Sequence, residues 1–526
     1  MVGRRLESSL RVLCLALAAL ASPAASAAAS AAAKPNVSID WSQTLRESNT
    51  SQTVQVCPEP PMRRGHAIHR QTHDALRDLE MPYARLQPWF PFPRLAMAAL
   101  EPPANGRTSW DFSLIDPIVL DFYAAAEGRP IMLNMAIPRW LFKTSPHRYP
   151  DDPDQIDWGY EFGENVGSEF RDPTLQEAAE YFRRIAQWYI RGGFVDEYGK
   201  EHKSGHRLKI DYWEVLNEQD EYLGHSIDPA TYTKLYDEVV LRLQKIDPQM
   251  KFSALALHEA SNLHYVEHFL DPRNHKPGVP LDMISYHKYI TARRDQTPLQ
   301  WQESMFAETD VFLGYVKRIE GIRQRLSPAT KTFISEFGVM WDEEVVNTFA
   351  SFNGTGTTSH ADPAIPEQFW TLAASVHAYG ILGAMRRGVD LIAAAELVDF
   401  PGQFAGTNLI HWRTGEPNAV YRVVKMLHEQ FQPGDRLVLT QVTGAAVDAQ
   451  AFATPRGRKL LLINKKAQPV TVSVSGMSGG QAEWVDMHSG SRPPSKGSIS
   501  GNEIVLGPQA VMVLTAPLGA ATGKHE

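Results

Sequence analysis

Short apolar runs alternate along 53–430 with stretches whose apolar residues recur every three to four positions, the pattern of repeated strand–helix units. Runs over 53–57, 83–90, 131–137, 210–216, 251–257, 283–289, 332–336 and 391–397 read as strands. Helical periodicity covers 66–80, 112–127, 174–190 and 229–246, with Asp228 placed to cap the last, and a helix over 419–431 closes the series. Strands that are apolar throughout and separated by helices imply a parallel sheet covered on both faces. Eight of them are the number that closes a (β/α)8 TIM barrel, an α/β fold.

After Pro433-Gly434 the helical period vanishes. Short runs over 459–463, 470–474, 482–485, 505–506 and 510–514 are separated by Gly, Ser and Pro turns, which predicts a C-terminal antiparallel β-sandwich domain. The segment 36–41 offers it one more strand from the N-terminal side. The expected organisation is therefore a leader over 1–33, a connecting segment over 34–52, the barrel over 53–433, the sandwich over 434–517 and a tail over 518–526.

Composition changes this picture in three places. The net charge of -8 over 526 residues argues against nucleic acid as the main partner, because phosphate binding needs a basic face. Arg4, Arg5 and Arg11 precede an apolar run over 12–21 and small residues to Ala33, with Ala25-Ser26-Ala27 as a cleavage pattern. That is the layout of a secretory signal peptide, and the run is too short to span a membrane, so the protein is expected to be secreted or periplasmic. Beyond this segment Cys57 is the one cysteine, which excludes an internal disulfide and a cysteine-based metal site.

In a (β/α)8 barrel the loops after the strands meet at one face, so residues at strand C-termini are the catalytic candidates. Glu218 follows the fourth strand in Asp211-Tyr212-Trp213-Glu214-Val215-Leu216-Asn217-Glu218. Glu336 ends the seventh in Phe333-Ile334-Ser335-Glu336-Phe337-Gly338. Two carboxyls facing each other across one barrel mouth can divide acid/base and nucleophilic work at a glycosidic bond. Placed close together they also push their pKa values apart, so that one stays protonated while the other is ionised.

These motifs resemble the clan A retaining glycoside hydrolases, which carry an Asn-Glu acid/base pair on strand four and a nucleophilic Glu on strand seven. Tyr83-Ala84-Arg85-Leu86, Trp110-Asp111-Phe112, Pro138-Arg139-Trp140 and Ser285-Tyr286-His287, with a β-sandwich behind the barrel, are similar to glycoside hydrolase family 39 in particular. Where that family shows Trp-Asn-Glu-Pro, this chain has Leu216-Asn217-Glu218-Gln219. The resemblance implies a retaining O-glycosidase with Glu218 as general acid/base and Glu336 as nucleophile. It implies that Asn217 holds a sugar hydroxyl, that Arg85 pairs with the nucleophile, and that His287 and Tyr289 orient it. Trp140, Trp341 and Trp412 follow strands three, seven and eight and offer flat faces to a sugar. His258 ends strand five, either packed in the core or facing a ligand. The mechanism calls for a carbohydrate substrate and for no cofactor or metal. The alternative is a catalytically inactive carbohydrate-binding barrel.

Two further signals carry less. Gly476-Met477-Ser478-Gly479-Gly480 matches the nucleophile elbow of serine hydrolases, but it lies between two β runs with no helix after it and is read as a turn. His66, His69 and His73 share one face of the first expected helix and could bind zinc; with Asp74 and Arg77 following, the row is read as a solvated face.

Overall fold

The computed structural model describes residues 34–87, 92–144, 147–157, 168–220, 226–293, 295–341, 365–400 and 405–517. The expected leader and tail, and the C-terminal part of the second expected strand, lie outside them.

Eight parallel strands close into a barrel in sequence order: β1 (Ser51–Val56), β2 (Ala84–Leu86), β3 (Ile131–Asn134), β4 (Tyr212–Glu214), β5 (Lys251–Leu257), β6 (Met283–Thr291), β7 (Lys331–Met340) and β8 (Leu391–Ala394). Apolar residues on the outer face of the strands pack against the surrounding helices. Phe337, for example, meets Phe312 and His377 of two such helices. The lumen is layered. Tyr83, Met132, Tyr212, Met283, Phe333 and Leu391 plug its floor. Because side chains alternate along a strand, the lumen positions two residues later, Arg85, Asn134, Glu214 and Ser285, form a polar layer above that floor.

Strand β7 breaks the alternation. Its register against β6 shifts between Ile334, opposite Tyr286, and Glu336, opposite His287. The extra residue re-aims the strand and puts Glu336 in line with His287, where strict alternation from Phe333 would have turned it outward. Glycine is needed two residues on, since a Cβ on Gly338 would lie 2.7 Å from the Tyr289 ring.

Apart from a two-stranded antiparallel hairpin, Gly193–Val195 with Glu201–Lys203, the remaining strands form one nine-stranded sheet. Its members are an N-terminal strand (Asn36–Glu47), β9 (Arg436–Val442), β10 (Val447–Thr454), β11 (Gly457–Asn464), β12 (Val470–Val474), β13 (Gln481–Val485), β14 (Ser495–Ser498), β15 (Glu503–Leu506) and β16 (Val511–Thr515). Their order is β14-β13-β16-β11-β10-β9, then the N-terminal strand, then β12-β15. The N-terminal strand is twice the expected length. It runs antiparallel to β9 and parallel to β12, the one parallel pair among the described residues of an otherwise antiparallel sheet. Val37, Val438, Leu460, Val472, Leu506 and Leu514 meet in one core of their own. The 476–480 segment is a turn between β12 and β13, with Gly476 and Gly479 at positive φ. Arg386 of the barrel helix Glu367–Arg387 reaches Asp448 of β10 at 2.8 Å and joins the two domains. Among the described residues, no helix is long and apolar enough to cross a membrane.

Candidate active site

Beyond the polar layer, the chain leaving β4 turns sharply. Leu216 and Glu218 adopt positive φ, 62° and 52°, a conformation that costs a non-glycine residue about 1–3 kcal/mol and is found at sites where the fold over-determines it. The Glu218 amide is held by the Ala256 carbonyl at 2.9 Å. His287, fully buried on β6, brings Nδ1 within 2.7 Å of Glu218 Oε1 and 3.4 Å of Glu336 Oε2. One oxygen of each carboxylate and one nitrogen of this imidazole lie within 4.8 Å of one another.

Glu336 is fully buried. Tyr289 donates its hydroxyl to Oε2 at 2.6 Å, and Arg85 donates to Oε1 at 2.9 Å. Burial alone would raise the Glu336 pKa; the positive field of His287 and Arg85 and these hydrogen bonds outweigh it and hold the carboxylate below its ordinary value. Burial also holds His287 below its ordinary value, so the imidazole is uncharged at neutral pH, where Arg85 and Tyr289 sustain the effect. The structure thus brings Glu218, Glu336, Asn217, Arg85, His287 and Tyr289 into one cluster. Asn217 Oδ1 accepts from Arg85 at 3.2 Å, and its buried Nδ2 makes no hydrogen bond.

The tryptophans stand differently. Trp140 lies on a 3-10 turn, Arg139–Leu141, donates to the Ala99 carbonyl and lines a cavity of about 330 Å³. One of its faces carries the Arg171 guanidinium, 4.5 Å from the ring centroid. Trp341 is 8% exposed and wedged edge-on between Trp301 and Phe369, which leaves little ring face for a sugar. Trp412 packs against Phe400 under the Arg413 guanidinium. His258 is partly exposed, its backbone N–H held by Asp220.

Several site residues were not singled out from the sequence. Glu214, with no exposed surface, receives two hydrogen bonds from Arg85, at 2.9 and 2.6 Å, and others from Asn134, Ser253 and Ser285. Despite the burial penalty, Arg85 and these donors hold it below its ordinary value. A charged residue in the middle of an apolar strand, two positions from a floor residue, was the available signal. At the end of β8, Glu396 lies in a buried group with Cys57 and Glu59. Burial, with Asp399 and Glu336 nearby, pushes its pKa up to about 8. The histidine row is also corrected: the helix begins at His69, His66 precedes it, and His73 is buried rather than solvated.

The comparisons agree with this architecture. Residues 444–514 match the family model of the D-apionate lactonase C-terminal immunoglobulin-like domain. The chain superposes on a family 51 α-L-arabinofuranosidase, AbfB, from Bifidobacterium longum with a TM-score of 0.60 and 12% identity, over 92% of this chain and 99% of that one. A conserved exported protein from Bacteroides fragilis gives a TM-score of 0.59 at 9% identity, over 91% and 99%. A GH30 endoxylanase from Clostridium papyrosolvens gives 0.53 at 11%, over 91% and 99%. At such identities the likeness establishes the fold: a TIM barrel with a β-domain, as in the clan A glycoside hydrolases of families 51 and 30. The two neighbours of stated family belong to families 51 and 30. No curated protein matches in sequence.

Proposed function

We propose that the protein is a retaining glycoside hydrolase that cleaves O-glycosidic bonds of an oligo- or polysaccharide by double displacement. The observation that carries this reading is the pair of buried carboxylates on facing sides of the barrel, bridged by one imidazole nitrogen, with oxygens within 4.8 Å of each other. Retaining enzymes hold their two carboxyls at about 5–5.5 Å, whereas an inverting pair stands farther apart to admit a water.

Glu336 is the nucleophile. Arg85 and Tyr289 keep it ionised, so its carboxylate attacks the anomeric carbon while the Glu218 carboxylic acid gives its proton to the departing oxygen. Glu218, now ionised, takes a proton from water, and the resulting hydroxyl displaces Glu336 from the glycosyl ester. Asn217 Nδ2 is free to donate to a sugar hydroxyl as charge develops on the ring. The leader pattern over 1–33 supports export of the enzyme.

Hydrolysis of a panel of aryl glycosides and polysaccharides by wild type and Glu336→Ala tests this. Azide should restore turnover to the mutant and yield a glycosyl azide of inverted configuration. Equal activity in wild type and mutant would refute the assignment, and a wild type inert on every glycoside would favour a carbohydrate-binding role. The match of 444–514 to a lactonase C-terminal domain supports a second reading, hydrolysis of a sugar lactone. Ring opening of aldonolactones, followed by acid release, with no action on glycosides would select it.

A further inference from the structure

A second group of ligating side chains lies on the ring of helices outside the barrel. The helix His69–Asp78 sets His69 and His73 one turn apart, so both imidazoles share a face, with ring centroids 4.4 Å apart. The helix Ile115–Ala125 brings Asp121 to the same place, and one ligand atom from each of the three lies within 4.8 Å of the others.

His73 is 4% exposed. Its Nδ1 stands 2.8 Å from the His69 carbonyl oxygen, which can only accept, so Nδ1 carries the proton and Nε2 the lone pair. That Nε2 is buried and makes no hydrogen bond. Metal-binding histidines are oriented in this way, with the far N–H anchored on a carbonyl and the other nitrogen turned to the ion.

We propose that His69, His73 and Asp121 bind a divalent transition cation, zinc as the first candidate, which ties these two barrel helices together. Two imidazoles and a carboxylate suit zinc, with water in the remaining position. Asp121 now receives Arg64 through both oxygens at 2.7 Å and His69 Nε2 at 3.1 Å. The Arg64 side chain is 59% exposed and can turn into solvent, so its guanidinium holds the place of the cation. On binding, His69 presents Nε2 as a lone pair and carries its proton on Nδ1.

The test is calorimetric zinc titration of the full chain in a Glu218→Gln/Glu336→Gln background, which removes both carboxylates of the active-site cluster as ligands. His69→Gln, at a partly exposed position, should bind one zinc fewer than the background protein, or bind it at least about tenfold more weakly. Zinc should raise the thermal midpoint of the background protein and leave that of His69→Gln and Asp121→Asn unmoved. Arg64→Ala should bind zinc at least as tightly, since it frees Asp121. Equal stoichiometry and equal thermal shift with and without His69, or loss of zinc binding in Arg64→Ala, would overturn the proposal.

Discussion

Replacing Arg85 by Met keeps most of the side-chain volume and removes the cation shared by Glu214 and Glu336. Arg85 is 1% exposed and donates to both carboxylates. Losing one partner of a buried ion pair costs roughly 3–5 kcal/mol, because an uncompensated charge is left behind. In the wild type both carboxylates titrate below their ordinary values. Their favourable contribution is therefore complete above the unfolded value of about 4.3 and is lost as pH falls through the folded values. In Arg85→Met burial is left with less opposition, and at least one folded value rises above 4.3. That carboxyl then binds its proton more tightly in the folded state, so stability falls as pH rises. The gap between the two proteins should widen by about 1.4 kcal/mol per pH unit for each carboxyl so affected, from roughly pH 4.5 up to its raised folded value, where it levels off. Urea unfolding of both proteins at four pH values reads this without knowledge of the substrate. A gap that stays constant with pH would refute the idea that Arg85 sets the charge state of the site.

Tyr289→Phe removes a hydroxyl that donates to the Glu336 carboxylate at 2.6 Å; at about 1.5–3 kcal/mol for such a bond, kcat/KM should fall roughly tenfold to a hundredfold, measured on any active glycoside. Glu396 has a folded pKa raised to about 8, so the folded state binds a proton that the unfolded chain has released above about 4.3, and stability declines as pH rises from there to 8. Glu396→Gln should abolish that share of the decline in thermal midpoint between pH 6 and 8, whereas parallel curves would contradict it. Asp228→Ala deletes a cap that accepts from the amides of Ala230 and Thr231 at 3.0 Å; it should cost about 1 kcal/mol in unfolding free energy and leave activity unchanged.

Much of the protein was legible without coordinates because its signals are local. Burial on both faces makes each barrel strand an apolar run, and the helices between them keep their own period, so the eight-strand count and the change of pattern after Pro433 could be read directly. Asp228 announced its helix by chemistry alone, and strand ends marked Glu218 and Glu336. What the tertiary structure decided are relations between strands distant in sequence. The register shift on β7 turns Glu336 into the lumen opposite His287, and pairing register leaves no mark on composition. Glu214 reads as one polar residue in an apolar strand until Arg85, Asn134, Ser253 and Ser285 arrive from four other strands to satisfy it. The histidine row looked solvated because helical period shows which residues share a face and not what covers that face; burial of His73, with Asp121 of the neighbouring helix beside it, settles that. Sequence periodicity reports each element's own environment, whereas a charged site is built from contacts between elements, and these exist only once the barrel has closed.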